Sequence, residues 1–180
     1  MKNLRCINLL IIQTCFSVVI TYAHKIDTSQ IPLEKFIGKW TLKDNIFESS
    51  NNGVYKADVN PNRTFIAMKV NTNTSLLWNQ DFDGFKVDIF WSYDIESKTV
   101  YHLSNTVNNG LASGQGPLAE NGDMDLTLIY PDACKTCTRV YSFRWKSDDE
   151  FFFRATFYQD NQPTGDFYGA TFLREKNLRN

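Results

Sequence analysis

Alternation of apolar and polar residues constrains this chain more than any other feature. Between Phe85 and Tyr93, the residues Phe85, Val87, Ile89, Trp91 and Tyr93 fall on one face. Lys86, Asp88 and Ser92 fall on the other, with Phe90 as the exception. A period of two residues lets a strand bury one face and leave the other in solvent, and a helix cannot use it. Arg139, Tyr141, Phe143 and Trp145 likewise share a face opposite Val140, Ser142 and Arg144. Glu150 to Gln159 is apolar on both faces over Phe151-Phe152-Phe153, as expected of a strand with apolar neighbours on both sides. Thr64 to Val70 and Asp166 to Arg174 add strands rich in aromatic and branched residues.

Turn chemistry separates these runs. Asn51-Asn52-Gly53, Asp83-Gly84, Glu96-Ser97-Lys98, Asn121-Gly122, Lys146 to Asp149 and Asn161 to Gly165 all suit hairpin loops. Only Ser29 to Phe36 reads as helical, a turn or two with Pro32 near its start. Short strands broken by turns argue for an all-β antiparallel fold of about eight to ten strands, not for βαβ units. A closed barrel is preferred over an open sheet, because closure removes edge strands and gives the aromatic faces an interior. A sandwich is the structural alternative, though the Cys…Trp…Cys spacing of an immunoglobulin domain is absent.

The first 23 residues read as a secretory signal peptide. Lys2 and Arg5 precede an apolar stretch from Cys6 to Ile20, and Thr21-Tyr22-Ala23 supplies small residues at the cleavage positions. The stretch is broken by Asn8, Gln13, Thr14 and Ser17, and it is short for a membrane span of about 20 apolar residues. The expectation is a signal over 1–23 and one soluble barrel domain over 24–180, located outside the cell, or in the periplasm of a Gram-negative host. The formal net charge is −1, and the signal removes two bases and no acid, so nothing favours nucleic acid. No further apolar segment argues for a membrane after processing. Asn62-Arg63-Thr64 and Asn73-Thr74-Ser75 are glycosylation acceptors in a eukaryotic host.

Phe36-Ile37-Gly38-Lys39-Trp40 leads a helical turn into a G-x-W strand, and this resembles the opening of lipocalins and related calycin barrels. The resemblance implies that Trp40 plugs the barrel floor and that Arg174, on the last strand, lies across it as a cation–π partner. A closer resemblance, over nearly the whole mature chain, is to a family of bacterial lipocalin-like barrels of unknown function. It rests on the strand Val87 to Asp94 ending in Tyr-Asp, the Gly-containing Leu111 to Pro117, the Arg-bearing hairpin Thr138 to Phe157, and the closing Phe172-Leu173-Arg174. It implies a barrel and no established activity. Heme-binding barrels do not match, because they need a late axial histidine and none follows His102.

Several constellations carry possible chemistry. Cys134-Lys135-Thr136-Cys137 has the redox C-x-x-C spacing, but it lies between two strands with no helix to lower a thiol pKa. A disulfide closing a hairpin is the simpler reading. Zinc would need further ligands, and the mature chain offers only His24 and His102; no metal and no cofactor is expected. His102 shares a face with Val100 and Ser104 and is a weak candidate base for an isomerase or hydrolase; a hydrogen-bonded structural histidine is the plainer alternative. No G-x-S-x-G elbow accompanies it, and Gly114-Gln115-Gly116 is too short for a phosphate loop. Asp148-Asp149 and Asp81/Asp83 read as solvated turn residues.

Arg139, Arg144 and Arg154 are the notable polar residues of the late hairpin. If Lys146 to Asp149 forms a four-residue loop, Trp145 pairs with Glu150 and Tyr141 lies opposite Arg154. An arginine facing aromatics inside a barrel suits a carboxylate or phosphate head group, whereas one facing outward only discourages aggregation. With 14 Phe, 8 Tyr and 4 Trp, the chain has more aromatics than a small barrel floor needs. The expectation is a secreted barrel binding a small hydrophobic or amphipathic molecule through Phe85, Trp91, Tyr141, Phe143, Arg154 and Phe157. The alternatives are a filled-core protein acting through its surface and, more weakly, an enzyme using His102.

Overall fold

A computed structural model describes residues 32–49, 53–57, 64–70, 74–82, 85–106 and 110–176. The signal segment 1–23, His24, Asn62, Asn73 and Asp83 lie outside the described residues. A 3-10 helical turn at Pro32–Phe36 leads into strand β1 (Gly38–Ser49). There follow β2 (Gly53–Ala57), β3 (Thr64–Lys69), β4 (Ser75–Phe82), β5 (Phe85–Asp94), β6 (Thr99–Thr106) and β7 (Gly110–Pro117). The chain ends on β8 (Met124–Ile129), β9 (Cys137–Ser147), β10 (Glu150–Gln159) and β11 (Gln162–Arg174). The fold is all-β, as the alternation requires.

Each strand pairs antiparallel with its successor from β3 to β11, and β11 returns to pair with β1. The near half of β1 pairs with β3 and its far half with β2. The result is a closed antiparallel barrel of ten strands, with β2 as an additional strand on the edge of β1. Closure leaves the long strands no free edge, the physical advantage of a barrel over an open sheet.

One end of the barrel is solid. Phe36, carried inward by the helical turn, is completely buried, with its ring edge-on to Trp91, Phe143, Trp145 and Phe151 at 4.9–5.6 Å. Edge-to-face contacts of this kind contribute about 0.5–1.5 kcal/mol each beyond the area they bury. Trp40 also has 0% exposure and donates from its indole to the Phe36 carbonyl at 2.9 Å. Gly38 has φ of +140°, and a Cβ there would lie 2.7 Å from an Arg174 nitrogen. Only glycine lets the chain bend this close to the arginine.

Two glycines on β7 shape the wall. A Cβ on Gly114 would meet the Thr127 carbonyl of β8, and one on Gly116 would meet the Asp125 carbonyl. Their role is close approach of two backbones, not phosphate binding.

The described turns differ from the sequence reading in two places. The β9–β10 turn is Asp148-Asp149 alone, with Ser147 opposite Glu150 and a bulge between Glu150 and Phe151. The β10–β11 turn is Asp160-Asn161, both with positive φ (53° and 61°), so Gln162 to Gly165 is strand and not loop. Positive φ at both central positions is the type I′ geometry that matches strand twist.

Candidate functional site

Above the aromatic floor the interior is not completely filled. A small pocket of about 30 Å³ is lined by Trp78 and Gln80 of β4, Ile89 and Trp91 of β5, and His102 of β6. Tyr141 and Phe143 of β9, Phe153 of β10 and Phe172 of β11 complete it. Alternation aims each of these side chains inward, so the same pattern that builds the core builds the pocket. The lining is aromatic with few polar atoms, the usual constitution of a small-molecule site.

Among the candidate pocket residues, Trp91, Tyr141 and Phe143 meet at this pocket. Phe157 faces inward too, but farther from the floor, opposite Arg139 on β9. Phe85 opens β5, and its side chain lies outside the described residues. Arg154 is a correction. It pairs with Ser142, not Tyr141, and its guanidinium lies on the outer wall, exposed, 4.1 Å from the Phe167 ring centre. The two-residue turn and the following bulge shift the hairpin register by one, and such a shift moves a side chain to the opposite face.

Of the three arginines of the late hairpin, Arg139 is the one that faces inward. Its guanidinium carbon lies 4.0 Å from the Tyr130 ring centre and 4.6 Å from that of Phe157. The Tyr130 hydroxyl bonds in turn to the Tyr141 hydroxyl at the pocket edge. Burial and the adjoining Tyr141 raise the Tyr130 phenol above its ordinary pKa, with Arg139 opposing them, so it stays protonated at neutral pH. Arg144, by contrast, is on the outer wall, where its Nη2 donates to both carboxylate oxygens of Asp125 at 2.7 and 2.6 Å.

The two described cysteines are joined. Cys134 and Cys137 form a disulfide that closes the connection between β8 and β9. The Cys137 carbonyl accepts the Tyr130 amide at 3.1 Å, so the bridge sits beside the Tyr130–Arg139 contact.

His102 is 3% exposed, and desolvation lowers its pKa to about 4. It is therefore neutral at pH 7. The Trp91 indole can only donate, and it does so to Nδ1 at 2.9 Å. The proton therefore resides on Nε2, which donates to the Ser104 hydroxyl at 2.9 Å. No carboxylate of the described residues lines the pocket beside it. The histidine acts here as a fixed polar spot in an apolar wall. No group of three or more His, Cys, Asp or Glu among the described residues could hold a metal.

At the floor, the Arg174 guanidinium lies 4.2 Å from the Trp40 ring centre. It donates to the carbonyls of Ile37, Lys35 and Asp148 and pairs with Asp149 at 3.4 Å. Trp40 and Arg174 thus tie the helical turn, the first and last strands and the β9–β10 turn together.

Sequence reasoning missed part of the lining. Trp78 and Gln80 belong to β4, a strand that had not been read, although Leu76, Trp78 and Gln80 alternate. Phe153 and Phe172 lay in runs read as strands, but their inward facing depended on register. The Trp78 indole nitrogen is a buried donor with no hydrogen-bond partner among the described residues. Rings surround it: Phe36, Trp91, Phe151 and Phe172 all lie within 6.3 Å centre to centre.

No protein-family model matches the chain, and no curated protein does. Solved structures do. An S-type phycobiliprotein lyase from Guillardia theta matches with a TM-score of 0.54 and 11% identity, covering 80% of this chain and 90% of that one. A redesigned β-barrel bound to DFHBI matches at a TM-score of 0.34 and 9% identity, over 78% of this chain and 99% of its own. A protein of unknown function in the DUF3598 family, from Nostoc punctiforme, matches at 0.22 and 6%, over 80% and 98%. The first similarity shows the fold, and the other two are too distant to carry an argument. The fold is a closed antiparallel barrel that matches the calycin-like type.

Proposed function

We propose that this is a secreted barrel that binds a small hydrophobic or amphipathic molecule inside its wall. The observation that carries the reading is the unfilled space between Trp78, Trp91, Tyr141, Phe143, Phe153 and Phe172 above a solid aromatic floor. An enzyme using His102 receives no support from a neutral imidazole already engaged at both nitrogens.

The phycobiliprotein lyase lends its fold to this reading, and at 11% identity no activity comes with it. Kinship with the bacterial lipocalin-like barrels of unknown function belongs to the proposal as well. It is supported by the G-x-W opening and the aromatic–Leu–Arg close. Secretion is supported by the pattern of residues 1–23 and by a disulfide, which persists in oxidising compartments. A secreted product whose mass begins at His24 is expected; one retaining Met1 would refute the signal assignment.

Native mass spectrometry of the purified protein, set against its denatured mass, tests the binding. Added mass that departs on denaturation identifies the ligand. Phe143→Ala should then weaken that ligand at least tenfold while Arg154→Ala leaves it unchanged. Equal affinity in wild type and Phe143→Ala would remove the pocket assignment.

A further inference from the structure

We infer that Arg139 binds an anionic head group, a carboxylate, on the molecule whose apolar body occupies the pocket; this inference rests on the pocket reading above. Of the arginines on the late hairpin, Arg144 and Arg154 are on the outer wall, and Arg144 is already paired with Asp125. Arg139 faces inward and is half-buried, and no described carboxylate lies within ion-pair distance of it. A charge withdrawn from water without a counter-ion is unfavourable, and an arriving anion relieves it.

The geometry leaves the right atoms for that anion. The Tyr130 and Phe157 rings lie against the guanidinium. A guanidinium stacked on aromatic rings keeps in-plane N–H donors for the two-pronged recognition of a carboxylate. Tyr141, the next inward residue on β9, lines the pocket. Two residues along a strand cover about 7 Å, so head group and body fall within one small molecule. The linked hydroxyls of Tyr130 and Tyr141 form a polar step between them. The Cys134–Cys137 bridge closes the turn that carries Tyr130 and begins β9 two residues ahead of Arg139.

The test uses matched probes that differ only in charge: naphthalene-2-carboxylate with naphthalene-2-carboxamide, and octanoate with octanamide. Binding is read at pH 7 by tryptophan fluorescence and by saturation-transfer NMR on the full secreted protein. Each carboxylate should bind about tenfold more tightly than its amide, as a charge-assisted contact predicts. Arg139→Gln should bring the preference within twofold without changing the amide affinity, and Arg139→Lys should restore part of it. Arg154→Gln, which removes the same charge from the outer wall, should leave the preference intact. Thermal unfolding followed by circular dichroism verifies that each variant is folded. Equal binding of carboxylate and amide to wild type, or a preference that survives Arg139→Gln, overturns the head-group assignment alone. A failure of all four probes to bind overturns the pocket reading and the assignment together.

Discussion

Acid should destabilise this barrel through one histidine. In the unfolded chain the His102 imidazole titrates near its ordinary value of 6.5, and in the folded barrel burial lowers it to about 4. Between those values the unfolded state binds a proton that the folded state refuses, so stability rises with pH across the window and falls on acidification. Below about 4 both states carry the proton and this loss levels off. Each pKa unit is worth about 1.4 kcal/mol, so moving from pH 7 to pH 5 should remove about 2 kcal/mol. The measurement is urea unfolding of wild type and His102→Gln at both values. Carboxylates titrate in both proteins, and their effect cancels in the comparison. Wild type should lose about 2 kcal/mol more than the variant over this step. Parallel losses, within about 0.5 kcal/mol, would show that the imidazole is hydrated or charged in the folded state and would refute the reasoning.

Three further outcomes follow from the floor, the wall and the bridge. Gly116→Ala should cost more than about 3 kcal/mol in denaturant unfolding, because its Cβ would collide with the β8 backbone at Asp125; a cost under 1 kcal/mol would disprove that close approach. Arg174→Gln should cost about 3 kcal/mol, since it strips charged donors from the Ile37, Lys35 and Asp148 carbonyls and the cation from the Trp40 ring. An unchanged unfolding midpoint would mean that the helical turn is held without it. Reducing the Cys134–Cys137 bridge should lower stability by no more than about 2 kcal/mol, because the loop it closes is so short. A larger loss by calorimetry would show that the bridge supports more than its own turn.

The strand pattern and the barrel were legible because a buried face imposes a period of two that survives in the sequence. Val87, Ile89, Trp91 and Tyr93 display it without any knowledge of their partners, and all are buried. Phe36, Gly38, Trp40 and Arg174 were legible as a floor because they sit in a local motif at the start of the chain and a matching close at its end. The pocket was only partly legible. Trp91, Tyr141 and Phe143 were read from alternation, whereas Trp78 and Gln80 went unread because the alternation of β4 is carried by only Leu76, Trp78 and Gln80, with Leu77 breaking the polar face.

The choice between the arginines could not be made from the chain alone. Arg139 shares the face of Tyr141 under either register, whereas whether Arg154 joins it inside depends on the number of residues in one turn and on one bulge. A four-residue loop turns Arg154 inward; the observed two-residue turn with a bulge turns it out. The size of the interior was equally invisible, since solid aromatic packing and an aromatic-lined pocket have the same composition. Local periodicity and chemistry are written along the chain, so the sequence by itself determined the all-β class and most of the strands, and it marked the residues of the floor and the cysteine pair. Register and free volume arise only when distant strands meet, so the tertiary structure alone decided which charge faces inward and where space is left.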